Sequence, residues 1–246
     1  MRFKDFLWES NHKQHVEDLG RDYENVFDLL ETHCSDAMKR FDTPIWRGFK
    51  TAYEPVYIVR GEDGGRVSKN TSNFYTILLD HFLPPEFPRR SKSIICGNYS
   101  NKEYAESFAR GNNVYAVFPY DKVKIGVTQA YDLWATKAFA IGNSYRYELA
   151  DWNSLFTIEG LDPSSYEAFL ASVKKNIEKG GECKKWFDGL DVEEALKKAY
   201  SAENLGLEVA TTENVYDITL DREVWISGPC VVINEDDWHK MKEFLA

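Results

Sequence analysis

The chain has 246 residues, of which 43% are hydrophobic and 28% charged. That is an ordinary globular balance, long enough to bury a large core, and it excludes a disordered chain, a collagen-like repeat or a small disulfide scaffold. Thirty basic against forty acidic side chains give a net charge of −10, which disfavours broad electrostatic binding to DNA or an anionic membrane but leaves room for a local basic pocket.

Taken in order, residues 1–41 read as helix, with Val16, Leu19, Tyr23, Val26, Phe27 and Leu30 at helical spacing. Asp42-Thr43-Pro44 breaks it, because proline pushes its predecessor out of the helical region. Ile45–Phe49 and Tyr57–Val59 read as strands, and the turn 61–65 follows. From Thr71 a helix places Phe74, Ile77, Leu78, His81 and Phe82 on one face until Pro84-Pro85. Ser93–Gly97 is a short apolar strand, after which Asn101 caps a helix carrying Tyr104, Ala105 and Phe108.

Val114–Phe118 and Val123–Val127 read as strands joined at Pro119-Tyr120-Asp121, and Tyr131–Phe139 as a helix. The stretch 150–206 is mostly helical, with Ser165–Ile177 and Val192–Ser201 the clearest parts. Val215–Leu220, Glu223–Ser227 and Cys230–Ile233 return to strand, and Asn234 opens a last helix with acids at its positive dipole end. No repeat, low-complexity tract or linker interrupts the chain. The expectation is one α+β domain over 1–246, with a helical N-terminal region (1–41) and a helical insertion (150–206).

Metal and redox signatures are missing. The cysteines Cys34, Cys96, Cys183 and Cys230 form no CxxC pair, and His12 and His15 read as a solvated pair on a helix. The charged N-terminus lacks a signal peptide's apolar run, and no apolar stretch nears the ~20 residues of a membrane span. A soluble, cytoplasmic protein with no metal and no membrane partner is expected. Phosphate-loop, dinucleotide-fold and GxSxG patterns are absent as well. What remains is an ordered set of strand-borne polar residues: Arg47 in IWRGF, Ser93 in RRSKSIICGNYS and Glu223 in LDREVWISG. Each has a plain alternative: a strand arginine paired with a carboxylate, an edge-strand serine and an exposed strand end.

In their order these segments resemble the mono-ADP-ribosyltransferases of the arginine–serine–glutamate class, the family of many bacterial toxins and phage enzymes. Trp46-Arg47-Gly48 resembles the first-strand arginine and its glycine. Arg90–Ile95 resembles the serine strand, Asn101–Ala109 the helix after it, Val114–Pro119 the next core strand and Asp221–Ile226 the glutamate strand. The resemblance covers about residues 43–140 and 212–233. A Ser-Thr-Ser run is absent, and Cys96–Ser100 stands in its place, so Ser93 is the preferred serine with Asn98 and Ser100 as substitutes. The residue two before the glutamate is Asp221, where the family often has Glu or Gln that addresses the acceptor.

The resemblance implies a split β-sheet core and NAD as co-substrate. Its nicotinamide–ribose bond breaks through an oxocarbenium-like transition state, as in glycoside hydrolysis. Glu223 would hold a ribose hydroxyl and stabilise the developing positive charge. Ser93 would fix the carboxylate's rotamer, and Arg47 beside Gly48 would offer a fork to the pyrophosphate. Tyr75, Phe74 or Tyr99 would stack on a ring of the dinucleotide. The implied acceptor is a macromolecule, protein or nucleic acid, in a toxin, toxin–antitoxin, phage or antiphage setting with an antitoxin or host protein as a further partner. Two alternatives stand beside it: a catalytically inactive binding or structural module, and an NAD glycohydrolase.

Overall fold

The computed structural model describes residues 17–18, 22–50, 54–61, 73–133, 137–141, 145–148 and 157–245. It is an α+β structure. The elements are β1 (Glu17–Asp18), α1 (Tyr23–His33), α2 (Ser35–Met38), β2 (Ile45–Gly48), β3 (Val56–Arg60), α3 (Asn73–Phe82), β4 (Ile94–Gly97), α4 (Lys102–Phe108), β5 (Val114–Pro119) and β6 (Lys124–Thr128). A two-stranded hairpin, β7 (Lys137–Ile141) and β8 (Tyr145–Glu148), comes next. Four helices follow: α5 (Tyr166–Glu178), α6 (Lys184–Phe187), α7 (Val192–Ala199) and α8 (Ala202–Leu205). The chain closes with β9 (Leu207–Ala210), β10 (Glu223–Ser227), β11 (Pro229–Asn234) and α9 (Glu235–Leu245).

Among the described residues nine strands form one antiparallel sheet in the order β1-β3-β11-β5-β2-β4-β10-β6-β9. Its middle is nearly open: β2 and β4 are joined by the single register pair Trp46↔Gly97. The two halves cannot lie flat. β10 and β11 stand four places apart in the sheet, about 19 Å at strand spacing, yet only Gly228 separates them in sequence, a reach of about 8 Å. Gly228 takes φ 133°, a kink that glycine adopts without strain. The halves therefore fold toward each other at this corner, as in sheets that pack near-orthogonally.

That folding makes three layers of core. Between the halves lie Tyr57, Val59, Tyr115, Val117 and Val232 from one side and Ile94, Cys96, Val127, Val224 and Ile226 from the other. Outside the first half, Val26, Phe27 and Leu30 of α1, Ala105 of α4 and Trp238 and Met241 of α9 cover Trp46, Ala116, Phe118 and Val231. Outside the second half, Phe74, Tyr75 and Leu78 of α3, Phe169 of α5 and Leu196 of α7 cover Ile95 and Trp225. Strands covered on both faces read as continuous apolar runs rather than alternating ones, which is why β5 is buried throughout.

Caps set the helix ends: Asp22, Ser165, Asp191 and Ser201 each accept a backbone N–H at the start of α1, α5, α7 and α8. Gly206 stops α8 in the left-handed region at φ 61°.

Three expected elements differ. Glu17–Asp18 lies in the stretch read as helix but pairs with Tyr57 and Ile58 of β3, tertiary pairing overriding the local pattern. Within the expected helix 131–139, Lys137–Phe139 is strand, its hydrogen bonds taken by β8. Val215–Leu220 is not a strand: Val215–Asp217 form a 3₁₀ turn, and the carbonyls of Ile218 and Leu220 are taken by the Asn98 amide. The turn read at 61–65 lies outside the described residues beyond Gly61, and so do the first 16 residues. Among the described residues no helix is long and apolar enough to cross a membrane.

Candidate functional site

The segments carrying Arg47, Ser93 and Glu223 occupy three consecutive strands, β2-β4-β10, at the split. Trp46 faces Gly97 and Gly97 faces Glu223, so these three share one row and one side of the sheet. No side chain fits in the middle of that row: a Cβ on Gly97 would sit 2.3 Å from the carbonyl oxygen of Asn101.

Glu223 is fully buried. Its Oε1 accepts Arg90 Nη1 and Trp225 Nε1, both at 2.5 Å, and its Oε2 accepts the Tyr104 hydroxyl at 2.9 Å and Leu133 N at 3.1 Å. Burial alone would raise its pKa, but the Arg90 charge and these donors hold it down at about 2. The carboxylate is thus ionised in a dry surrounding. Burial works against the charge on Arg90 too, and Glu223 reverses that, pushing the guanidinium pKa up. The guanidinium lies 4.9 Å from the Tyr75 ring and 4.8 Å from the Trp225 ring, a cation held between aromatic faces. Tyr104 and Tyr75 stay neutral, burial and the nearby carboxylates raising both.

Arg47 does not join this cluster. One residue past Trp46, its side chain leaves β2 on the other side of the sheet, in register with Tyr115. Its Nη1 donates to the carbonyl oxygen of Ile95 in the gap where β2 and β4 have stopped pairing, and its guanidinium carbon is 5.6 Å from the Phe49 ring. The fork patches the split. Gly48 is a close-approach glycine: a Cβ there would fall 1.9 Å from the carbonyl oxygen of Ala105 in α4.

Ser93 is not brought to Glu223. It precedes β4 at the end opposite Gly97, about 13 Å along the strand, and its buried hydroxyl donates to Arg89 O at 2.7 Å. The expectation that Ser93 fixes the carboxylate's rotamer is therefore corrected: Arg90, Trp225 and Tyr104 do so.

Asn98 is a clamp rather than an open ligand group. Its Nδ2 donates to Ile218 O and Leu220 O at 2.9 and 2.7 Å, and its Oδ1 accepts Arg222 N at 3.0 Å. The Ser100 hydroxyl reaches the same oxygen at 3.4 Å. Tyr75 packs on Arg90, and Phe74 on Phe169 at 4.7 Å between centroids. Asp221 is exposed, two residues before Glu223.

Arg90, Tyr104, Trp225 and Leu133 escaped the sequence reading. Trp225 had a signal, since residues two apart on a strand share a face. Arg90 had only its place in a basic run before an apolar strand, and Tyr104 none beyond its helix. A rim also emerges. Tyr99, Tyr131 and Leu220 are exposed at 49%, 56% and 63%. Asn101 ties the rim together, its Nδ2 donating to Tyr131 O at 3.0 Å and Arg222 O at 3.2 Å beside Glu223.

Chemically, the arrangement offers an ionised, fully buried carboxylate of fixed orientation at a strand terminus, with the exposed side chains of Tyr99, Tyr131 and Leu220 on neighbouring segments. Among the described residues no three His, Cys, Asp or Glu side chains gather closely enough to hold a metal ion. No protein-family model, curated protein or solved structure matches this chain.

Proposed function

We propose that this protein is an NAD-dependent ADP-ribosyltransferase acting through Glu223 on a macromolecular acceptor. One observation carries the reading: three segments distant in sequence, those resembling the family's arginine, serine and glutamate strands, stand side by side at a split in the sheet, with the glutamate ionised at its edge. In the reaction the bond between ribose C1′ and the nicotinamide nitrogen breaks, its electron pair leaving with nicotinamide. The acceptor's nucleophile bonds to C1′ and loses a proton. Glu223 would hold a ribose hydroxyl and offset the positive charge on the sugar. Arg47 stands at the same split but on the opposite face of the sheet from Glu223, so to meet the pyrophosphate its fork would have to leave Ile95 O and swing through the gap between β2 and β4. Asp221, exposed beside the rim, would address the acceptor.

A second reading has its own observation. Four donors fill both oxygens of Glu223, its side chain is fully buried, and Arg47 leaves the sheet on the other side. A catalytically inactive module that keeps the fold for binding would look like this.

Incubation with NAD labelled in the adenylate part separates the readings. Label on a macromolecule, lost in Glu223→Gln, supports the transferase. Free ADP-ribose alone supports a glycohydrolase. No turnover, with a folded protein, supports the inactive module and overturns the proposal.

A further inference from the structure

The two oxygens of Glu223 have different neighbours. Oε1 is held by Arg90 and Trp225, both buried, with the guanidinium wedged between the Tyr75 and Trp225 rings. Oε2 is held by Leu133 N and by Tyr104, and Tyr104 is the one residue of the four that is half-buried rather than buried. Its hydroxyl reaches in from α4, on the side where Glu223 meets the row of Gly97 and Trp46.

We infer that Arg90 is a positioning residue that anchors Glu223 through Oε1, while Tyr104 caps Oε2 and yields that oxygen to a substrate hydroxyl, an inference that rests on the transferase reading. Releasing Oε1 would leave a buried guanidinium facing aromatic rings without its counter-charge, a costly change. Exchanging the Tyr104 hydroxyl for a ribose hydroxyl replaces one O–H···O⁻ bond by another and costs little. The carboxylate thus keeps one fixed oxygen and gains one free to bind. The charged and titratable groups around it are Arg90 from the turn before β4 and Tyr104 from α4, both bonded to the carboxylate, and Tyr75 from α3 against Arg90, with Asp132 from the loop after β6 near the two tyrosines and Tyr200 near Tyr75. Arg90 is the cation of this set, and without it Glu223 is left fully buried with no counter-charge from these groups and takes up a proton.

The test uses the full chain as wild type, Arg90→Met, Arg90→Lys and Tyr104→Phe. Nicotinamide release from NAD is followed from about pH 5 to pH 9, and isotope-edited infrared spectra of carboxyl-labelled glutamate are recorded. Arg90→Met is expected to lower kcat about 100-fold at neutral pH with KM for NAD nearly unchanged, the rate rising with pH as the carboxyl ionises. Arg90→Lys should keep a wild-type pH profile, and Tyr104→Phe should shift KM several-fold more than kcat. An Arg90→Met enzyme that only melts earlier, with the wild-type pH profile per folded molecule, overturns the inference. Should Arg90→Met not fold, Arg90→Gln takes its place. If the wild type releases no nicotinamide, the transferase reading falls separately, and the infrared spectra still decide the anchor. A protonated Glu223 in the neutral variant near pH 6 upholds it, and an ionised one overturns it.

Discussion

Asn98 and Arg222 hold each other by two reciprocal hydrogen bonds: Asn98 N donates to Arg222 O at 3.1 Å, and Arg222 N donates to Asn98 Oδ1 at 3.0 Å. The side-chain amide then takes the carbonyls of Ile218 and Leu220. One buried side chain thereby fixes both the end of β4 and the approach to β10, and so sets where Glu223 begins its strand.

Asn98→Ala removes that clamp and leaves two carbonyls and an N–H without their partner. A loss of about 2–3 kcal/mol in urea unfolding is expected. Asn98→Asp should be at least as damaging at neutral pH, because an ionised carboxylate would face the carbonyls of Ile218 and Leu220. The deficit should shrink on acidification, when the acid regains one O–H donor. Equal stability of Asn98→Asp at both pH values would count against the clamp.

Arg90→Met strands a buried carboxylate, and a loss of about 3–5 kcal/mol is expected. The double variant Arg90→Met/Glu223→Gln should lose less than the sum of the two single ones, because neither charge is then left alone. Denaturant unfolding of the four proteins measures the coupling, and strict additivity would exclude it.

The pH dependence follows from Glu223, whose folded pKa of about 2 lies below the ~4.3 of an unfolded glutamate. On acidification the unfolded chain takes up the proton first, so the pair's stability is fully present above about pH 5 and is lost as pH falls toward 2. The stability advantage of wild type over Glu223→Gln should therefore be flat from neutral pH down to about 5 and then close. Acid titration of both proteins by circular dichroism checks this, and an advantage that closes already near neutral pH would contradict the ionised pair.

Arg47→Lys keeps a donor for Ile95 O but not the fork. A stability change under about 1 kcal/mol is expected by thermal melting, together with about a tenfold weaker Kd for NAD by calorimetry. An unchanged Kd removes Arg47 from the proposed site and leaves it as the patch over the split.

Gly48→Ala tests the close approach of α4. Its Cβ would lie 1.9 Å from a backbone oxygen that cannot rotate away, so α4, which carries Tyr104, must shift. A loss of about 1–3 kcal/mol is expected, read as a lowered Tm. A Tm equal to wild type would mean that α4 has room to move.

Much of the scaffold is legible in the residue order. The apolar runs at Ile94–Cys96, Val114–Phe118, Val224–Ile226 and Cys230–Ile233 are strands because a run this short and apolar, bounded by glycine, proline or asparagine, has few other ways to satisfy its backbone. The helices at 73–82, 166–178 and 192–199 follow from apolar spacing, with side-chain caps on the last two. Val215–Leu220 misled because Val, Ile and Thr favour strand, whereas its carbonyls found a side chain from residue 98 instead of a neighbouring strand. Glu17–Asp18 misled for the converse reason: the free edge of β3 took it up.

At the site, Glu223 drew notice because a carboxylate opening an apolar strand is odd, and the structure gives that oddity its counter-charge. The counter-charge itself, Arg90, lies 133 positions away and has no local signature. Ser93, Arg47 and Glu223 look alike in sequence, each a polar residue on or beside a strand. Which of them meet depends on register, and a strand's side chains reverse face with every residue. Local spacing and apolarity are properties of a few neighbouring residues, so the chain alone settles where β2 to β6, β10 and β11 and most of the helices run, but not β1, β7 or the fate of 215–220. The pairing of Trp46 with Gly97, the corner at Gly228 and the enclosure of Glu223 by Arg90 and Tyr104 depend on contacts between distant segments. Burial and hydrogen bonding decide those contacts only once the two halves of the sheet have closed.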